Sequence, residues 1–352
     1  MIGIIFCNDL NTCPYIDKYF QVLDAKGVDY EVVIWNRDGK NVSFPENFVV
    51  FDERSDIHVA RWKKVGAFFR FRKFLIKTIK ERKYDKLIML TTIPAVLCSS
   101  LLLGEYKGRY IFDFRDLSYE RFGFYRKEVK KIAENASFTC ISSPAFAEAI
   151  GIESYVMAHN FRYSDIEKEA DAPVLDGDVI ELLHIGITRG EDYNKRLADI
   201  FGNDSRFRVN IIGSGNDTPT FLEYVKDINN FTVMGRYNNE DKKKYIDSAS
   251  MLLYYYPCDF NCNRALANKY YDGMIYKKPL IGNINTYSGK RLCKMGLGIS
   301  LSLDDEHFAD KIYDYVRSLD IKAYLAAVDT EKNAVLAEDK IYLDRIASFL
   351  EE

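Results

Sequence analysis

Short β-branched and aromatic runs alternate with helical periodicity along the first half of the chain. Residues 2–7, 29–35, 48–51, 87–91, 110–114, 138–142 and 155–158 read as strands, separated by helical patterns such as 67–83 and 125–136. Strands that alternate with helices predict a parallel sheet covered on both faces. The polar stretch 166–178, with Asp171-Ala172-Pro173 and Asp176-Gly177-Asp178, interrupts this rhythm and reads as a linker. The alternation then restarts, with strands at 180–185, 208–212, 231–234 and 251–255 and helices at 193–201, 220–228 and 240–248. A helix near 265–276, an apolar run at 279–281 and a mostly helical region from 304 onward complete the pattern. The expected division is an N-terminal domain over 1–165, the linker 166–178, a second domain over 179–330, and a helix over 331–352 that packs back on the first domain. The fold class is α/β, two Rossmann-like domains facing a cleft, with ligands expected beyond the carboxyl ends of the strands.

The length of 352 residues suits two domains of about 150 residues each. A hydrophobic fraction of 47% and a charged fraction of 29% exclude a disordered or disulfide-stapled chain, and a net charge of −3 gives no reason to expect nucleic acid. No run approaches the roughly 20 apolar residues of a membrane span, and the start of the chain lacks the basic region of a secretory signal. Seven scattered cysteines fit a reducing cytoplasm, and four histidines argue against a His-rich metal site. The unusual entry is aromatic content, 25 Tyr and 23 Phe. Two groups, Phe68–Phe74 among cations and Tyr254-Tyr255-Tyr256 with Tyr270-Tyr271, are expected to line surfaces instead of core, one facing lipid and one the cleft.

The loop after the first strand contains Asn8 and Asp9 and no glycine, so the G-x-G-x-x-G turn of a dinucleotide enzyme is absent, as is a P-loop. Asn8 and Asp9 either cap the next helix or point into the cleft on the acceptor side. Ile211-Ile212-Gly213-Ser214-Gly215 runs from a strand into a turn where Gly213 and Gly215 let a ligand approach backbone amides. Asn268 and Lys269 at a helix start suit a diphosphate, and Asp272, three residues beyond Lys269, either accepts ribose hydroxyls or merely pairs with that lysine. Arg115 and Asp116 stand at a strand's carboxyl end, as a functional pair or a surface ion pair. After Gly186, the cations Arg189, Lys195 and Arg196 either neutralise a departing phosphate or form a solvated helix face. Cys258 and Cys262 have no nearby partners to complete a zinc site, so no metal is expected.

Taken together, these segments resemble the nucleotide-sugar glycosyltransferases of the GT-B fold, especially the retaining group of bacterial polysaccharide assembly (capsule, exopolysaccharide, O-antigen). Phe112-Asp113-Phe114-Arg115-Asp116-Leu117 is similar to a strand-end pattern of bacterial members, and Met234-Gly235-Arg236-Tyr237 to the turn near the nucleotide base. Residues 267–281, with Lys269-x-x-Asp272 and Lys278-Pro279-Leu280-Ile281, resemble the donor-binding segment. The resemblance implies donor contacts from Gly213, Gly215, Arg236, Asn268, Lys269 and Asp272, with charge on the leaving diphosphate stabilised by Arg189 and Lys195. It implies no metal and no cofactor; from their place in the chain Asn8, Asp9 and Arg115 are expected on the acceptor side, and Asp116 is the candidate that orients or deprotonates the acceptor. The family's partner Glu, eight residues before Asp272, is Arg264 here, and its glycine-rich acceptor loop is missing. The implied partners are a UDP- or GDP-linked sugar and a glycan or polyprenyl-linked glycan acceptor, and no nucleic acid.

Residues 61–83 hold ten cations against the single acid Glu81, interleaved with apolar side chains from Trp62 to Ile79. This pattern suits either an anionic membrane surface or a core helix with a solvated face. The expected location is cytoplasmic, peripheral on the inner face of the cell membrane. Two other readings remain: a non-catalytic GT-B-like partner subunit, which Arg264 favours, and a nucleotide-sugar epimerase, for which the histidines are sparse. Of these only His159 is placed to matter, with a buried structural role as the alternative.

Overall fold

Every strand pairing in both sheets is parallel, so each strand must be followed by a crossover that returns the chain to the same sheet edge. The computed structural model describes the chain apart from residues 9–12, 14, 38, 40–42, 56–60, 162, 167–169, 188–189, 216–217 and 257–258, and apart from the side chains of 61–64, 163 and 239. It divides into two units, residues 1–160 with 336–352, and residues 161–335.

The first unit contains β1 (Ile2–Ile5), α1 (Ile16–Ala25), β2 (Tyr30–Trp35), β3 (Phe48–Phe51), α2 (Arg61–Arg82), β4 (Lys86–Leu90), α3 (Thr92–Leu97) and α4 (Ser99–Leu102). β5 (Tyr110–Phe114), α5 (Gly123–Glu134), β6 (Phe138–Ile141), α6 (Pro144–Ile150) and β7 (Val156–Met157) follow, in the sheet order β3-β2-β1-β4-β5-β6-β7. The second unit holds α7 (Tyr163–Ile166), β8 (Ile180–Ile185), α8 (Glu191–Phe201), β9 (Phe207–Ile212), α9 (Pro219–Val225), β10 (Phe231–Met234) and α10 (Lys242–Asp247). It continues with β11 (Met251–Tyr254), α11 (Asn268–Ile275), β12 (Leu280–Asn283), α12 (Tyr287–Lys294), β13 (Gly298–Leu301) and α13 (Phe308–Ser318), in the order β10-β9-β8-β11-β12-β13. The last helix, α14 (Ile321–Glu351), contributes residues to the second unit up to Val335 and to the first from Leu336.

Three elements lie outside the alternation read from the sequence, the short α7 and the pair α12 and β13. β13 has four residues, opens on a glycine and pairs only with β12, so it lacks the long apolar run of a central strand. Gly298 is required there, since its φ is +156° and a Cβ would stand 2.0 Å from the Leu280 carbonyl oxygen.

α2 buries Ala67, Phe71, Leu75 and Ile79 along one stripe. Phe68 and Phe71 pack on Trp35, and Phe71 and Phe74 on Phe51. The expected lipid-facing patch is thus mostly core, because the helical repeat turns these rings toward β2 and β3. Of this group only Phe69 stays largely exposed. On the other face α1 and α14 cover the sheet, with Tyr19, Leu23, Tyr342, Ile346 and Phe349 packed over Ile4, Val32, Ile34 and Ile88.

Arg115 is central to this interface, which differs from its expected acceptor-side position. Its guanidinium is buried and donates to both carboxylate oxygens of Asp113 (2.6 and 3.1 Å), to the Ala158 carbonyl (2.9 Å), to Asn160 Oδ1 (2.8 Å) and to the Tyr342 hydroxyl (3.2 Å). Lys18 of α1 meets Asp339 of α14 at 2.5 Å, both side chains 2% exposed, and also donates to the His159 carbonyl. His159 is itself buried, with Nε2 2.7 Å from Glu338 Oε2. Its placement is structural.

A buried pair of this kind is costly to break on one side and cheap to replace as a whole. Lys18→Met is expected to destabilise the first unit by about 3–5 kcal/mol in equilibrium chemical unfolding, and Lys18→Met/Asp339→Leu to recover most of the loss. A single-variant cost below about 1 kcal/mol, as for a surface pair, would refute this role.

Candidate functional site

The loops that leave β8, β9 and β10 are drawn together by backbone contacts within the second unit. Gly186, just after β8, has φ +113°, and Gly213, just after β9, has φ +135°. A Cβ on Gly213 would lie 2.0 Å from the Gly186 carbonyl oxygen, so the missing side chain serves chain-to-chain approach. The Gly213 N–H donates to the carbonyls of Met234 (2.9 Å) and Gly235 (3.0 Å), which ties in the turn after β10. That amide is already engaged, in contrast to the expected amide open to a ligand. Gly215 follows with φ +84°, and Arg236 is exposed on the adjacent turn.

α11 starts beside this shelf with no side-chain cap, and the Ala267 N–H donates to the Tyr254 hydroxyl at 2.7 Å. Asn268 is its exposed first residue, and Lys269 is buried one position on. Lys269 Nζ lies 3.4 Å from His184 Nε2, donates a hydrogen bond to the Tyr256 hydroxyl at 3.3 Å and stands 4.9 Å from the Tyr256 ring centre. It also stands 3.9 Å from where a Cβ on Gly186 would be, so glycine there keeps the ammonium next to open backbone. Burial, with the Lys269 charge second, holds the His184 pKa well below 6.5. The imidazole is therefore neutral and can accept from the ammonium, so neither of these two contacts carries negative charge.

Asp272 follows one turn later, also buried, and accepts from Lys242 Nζ of α10 at 2.6 Å. Burial raises its pKa while Lys242 and Lys269 pull it back. The carboxylate thus sits between two lysines, with its direct ion pair to α10 and not to the i−3 lysine. α11 is anchored from behind, where the Tyr270 hydroxyl donates to Glu331 Oε1 (2.7 Å) and Arg291 meets the same oxygen at 2.6 Å. Arg264 folds back on its own turn, donating to the Phe260 carbonyl at 2.9 Å with its guanidinium 4.6 Å from the Phe260 ring centre.

Other expected residues are placed apart from this cluster. Lys195 pairs with Glu191 at 2.6 Å and lies 5.5 Å from the Tyr224 ring centre, on the α8–α9 side. Hydrogen bonds from Lys195, Thr218 and Thr220 lower the Glu191 pKa to about 2. Arg196 donates to the Leu303 carbonyl at 3.1 Å and lines a cavity of about 350 Å³ with Tyr193, Tyr255, Asn283 and Asn285. In the first unit Asn8 Oδ1 accepts from Arg37 (3.2 Å), and Asp116 is exposed just beyond β5 while Arg115 turns inward. Arg189, Asp9 and Cys258 lie outside the described residues. Tyr254, Tyr255, Tyr270 and Tyr271 are buried, which leaves Tyr256 as the one member of that aromatic group in contact with Lys269 that is not fully enclosed.

Two members of the cluster, His184 and Lys242, were missed from the sequence. His184 had a usable signal, a lone polar residue in the otherwise apolar end of a strand two residues before a glycine. Lys242 had none, since it is 30 positions from Asp272 in the chain.

The depressed His184 pKa has a definite sign in stability. Below about 6.5 the unfolded chain gains a proton that the folded one refuses, so stability falls as pH drops through that value. His184→Gln is expected to flatten the pH dependence of second-unit unfolding between about pH 7 and 5, a window above that of the carboxylates. Parallel wild-type and variant curves would show that His184 does not titrate in this way.

No protein-family model matches the chain, and no curated protein matches its sequence. Solved structures do match. Sucrose-phosphate synthase from Thermosynechococcus elongatus aligns with TM-score 0.69 and 13% identity, over 99% of this chain and 97% of its own. HepE from Anabaena, solved in complex with UDP, aligns with TM-score 0.66 and 12% identity over 99% of this chain and 100% of its own. WaaG, a glycosyltransferase involved in lipopolysaccharide biosynthesis, aligns with TM-score 0.59 and 10% identity, covering 100% and 95%. At such identities the likeness is one of backbone, and by that measure the chain has the two-sheet α/β fold of the GT-B glycosyltransferases.

Proposed function

We propose that the protein transfers a sugar from a nucleotide diphosphate sugar to a hydroxyl of a glycan acceptor in bacterial surface polysaccharide synthesis. The observation that carries this reading is Lys269, held by His184 and Tyr256 at the uncapped start of α11 beside the open backbone of Gly186. An ammonium at a helix N-terminus suits a diphosphate. Asp272, one turn further, is the acceptor group for ribose hydroxyls, with Lys242 opposing the rise in its pKa that burial causes. Structures of HepE with UDP and with UDP-glucose support a nucleotide-sugar donor for this fold.

In the reaction the bond between the anomeric carbon and the diphosphate oxygen breaks, and the acceptor oxygen bonds to that carbon. The electron pair leaves with the diphosphate, and that charge is stabilised by Lys269, a role we assign to Arg189 as well. Each such preorganised donor contributes about 3 kcal/mol to the transition state. Lys195 joins them only by leaving Glu191. The acceptor proton passes to the departing phosphate in a retaining, metal-independent course, with Asp116 orienting the hydroxyl. A polyprenyl-linked glycan acceptor would place the enzyme on the cytoplasmic membrane surface.

Arg264 favours a second reading, a non-catalytic partner of the same fold, because a cation folded onto Phe260 stands where the resembled family has a carboxylate. Incubation with a panel of UDP- and GDP-sugars separates the two: transfer or hydrolysis is expected, and donor binding without turnover across the panel selects the partner reading. In calorimetry with UDP, Lys269→Ala is expected to weaken binding about 10- to 100-fold, the loss of a charge-assisted hydrogen bond. Asp116→Ala is expected to abolish transfer while donor affinity stays at the wild-type value. Undiminished UDP affinity in the first variant, or unchanged turnover in the second, would overturn that residue's role.

A further inference from the structure

Around the start of α5 the aromatic side chains of Tyr119, Phe122 and Phe124 face solvent while Glu120 turns inward. Phe124 is 77% exposed, and Tyr119 and Phe122 are exposed as well. The Phe122 and Phe124 rings stack at 6.1 Å, with the Arg121 guanidinium 4.9 Å from the Phe122 ring centre. Glu120 is fully buried and accepts the Ser118 N–H, and Tyr125 is buried with its hydroxyl 3.1 Å from Thr92 Oγ1. Two inward anchors therefore fix the turn, and its outward cations Arg121, Arg126 and Lys127 are unaccompanied by an outward acid between residues 119 and 127.

α2 presents a related surface. Its outward stripe reads Val65, Phe69, Lys73, Lys77 and Lys80, with Phe69 67% exposed. Both α2 and α5 follow strands of the parallel sheet, so both start at its carboxyl edge, and α3 packs against each of them. Val65 and Phe69 lie in the first half of α2 and Phe122 and Phe124 at the start of α5, so these side chains fall toward the carboxyl edge of the sheet, while Lys73, Lys77 and Lys80 continue down α2 away from it. Exposed Phe side chains with Lys and Arg around them match the chemistry of an anionic bilayer surface, where rings enter the headgroup zone and cations meet phosphates.

We propose that Phe122 and Phe124, with Phe69 and Val65 of α2, dock the first unit on an anionic phospholipid bilayer. This rests on the membrane-surface reading above and not on the transfer chemistry. The docking contact is made by the start of α5 and the two outward apolar residues of α2, while the Phe68, Phe71 and Phe74 rings stay in the core.

Co-sedimentation of the full chain with vesicles tests it. Wild type is expected to bind vesicles of phosphatidylcholine with about 30% phosphatidylglycerol and to leave pure phosphatidylcholine in solution. Phe122→Ser/Phe124→Ser is expected to weaken that binding at least about ten-fold, with an unchanged thermal transition because both side chains are already exposed. Ile341→Ser, a change at an exposed apolar residue of α14, is expected to bind like wild type. No binding by wild type, or equal binding to both vesicle types, would end the membrane reading itself. Wild-type binding that survives the double substitution would overturn the docking residues alone, and a wild-type dimer made monomeric by it would assign the patch to a second copy.

Discussion

A parallel strand pair cannot be closed by a hairpin, and this constraint organises the protein. Every strand of both sheets must hand the chain to a crossover, so all carboxyl ends of one sheet emerge at one edge. In the second unit that edge brings together the ends of β8, β9, β10 and β11 and the start of α11, segments spread over more than 80 residues of chain. The edge is crowded, and glycine resolves the crowding. Gly186 and Gly213 touch backbone to backbone, and the same absence of a side chain at Gly186 leaves Lys269 beside open main chain.

Both units hold buried charge in pairs. In the first, Arg115 with Asp113 and Lys18 with Asp339 are closed pairs that hold α1 and α14 to the sheet. In the second, Lys242 with Asp272 and Arg291 with Glu331 are pairs of the same kind, while Lys269 is also held by an imidazole and a phenol. The ion pairs suit cohesion. The contacts from His184 and Tyr256 fix the position of the Lys269 ammonium.

The strand-end sequence Arg115-Asp116 shows how closely these roles can adjoin. Arg115 turns under the sheet edge into a cage of oxygens, and Asp116, the next residue, faces solvent. Aromatic residues divide in the same manner. Phe68, Phe71 and Phe74 take the inner side of α2, whereas Phe69 takes the outer side of the same helix, and Tyr256 alone of its triplet stands half-open beside Lys269.

Local pattern was sufficient for the strands at Phe48–Phe51, Tyr110–Phe114, Ile180–Ile185 and Phe231–Met234, and for the alternation that makes both sheets parallel. β-Branched and aromatic runs and helical periodicity act over about ten residues, and that range also marked Lys269 and Asp272 as one face of one helix. It did not extend to what those residues touch. Lys242 reaches Asp272 because β10 and β11 occupy opposite sides of β8 and β9 in the sheet order, and His184 reaches Lys269 because β8 and β11 are neighbours. The inward turn of Arg115 likewise depends on Tyr342, 227 positions away. Composition and periodicity determined which segments form strands and helices; only strand order and crossover packing decided which charges meet, because those contacts join parts of the chain that no local pattern connects.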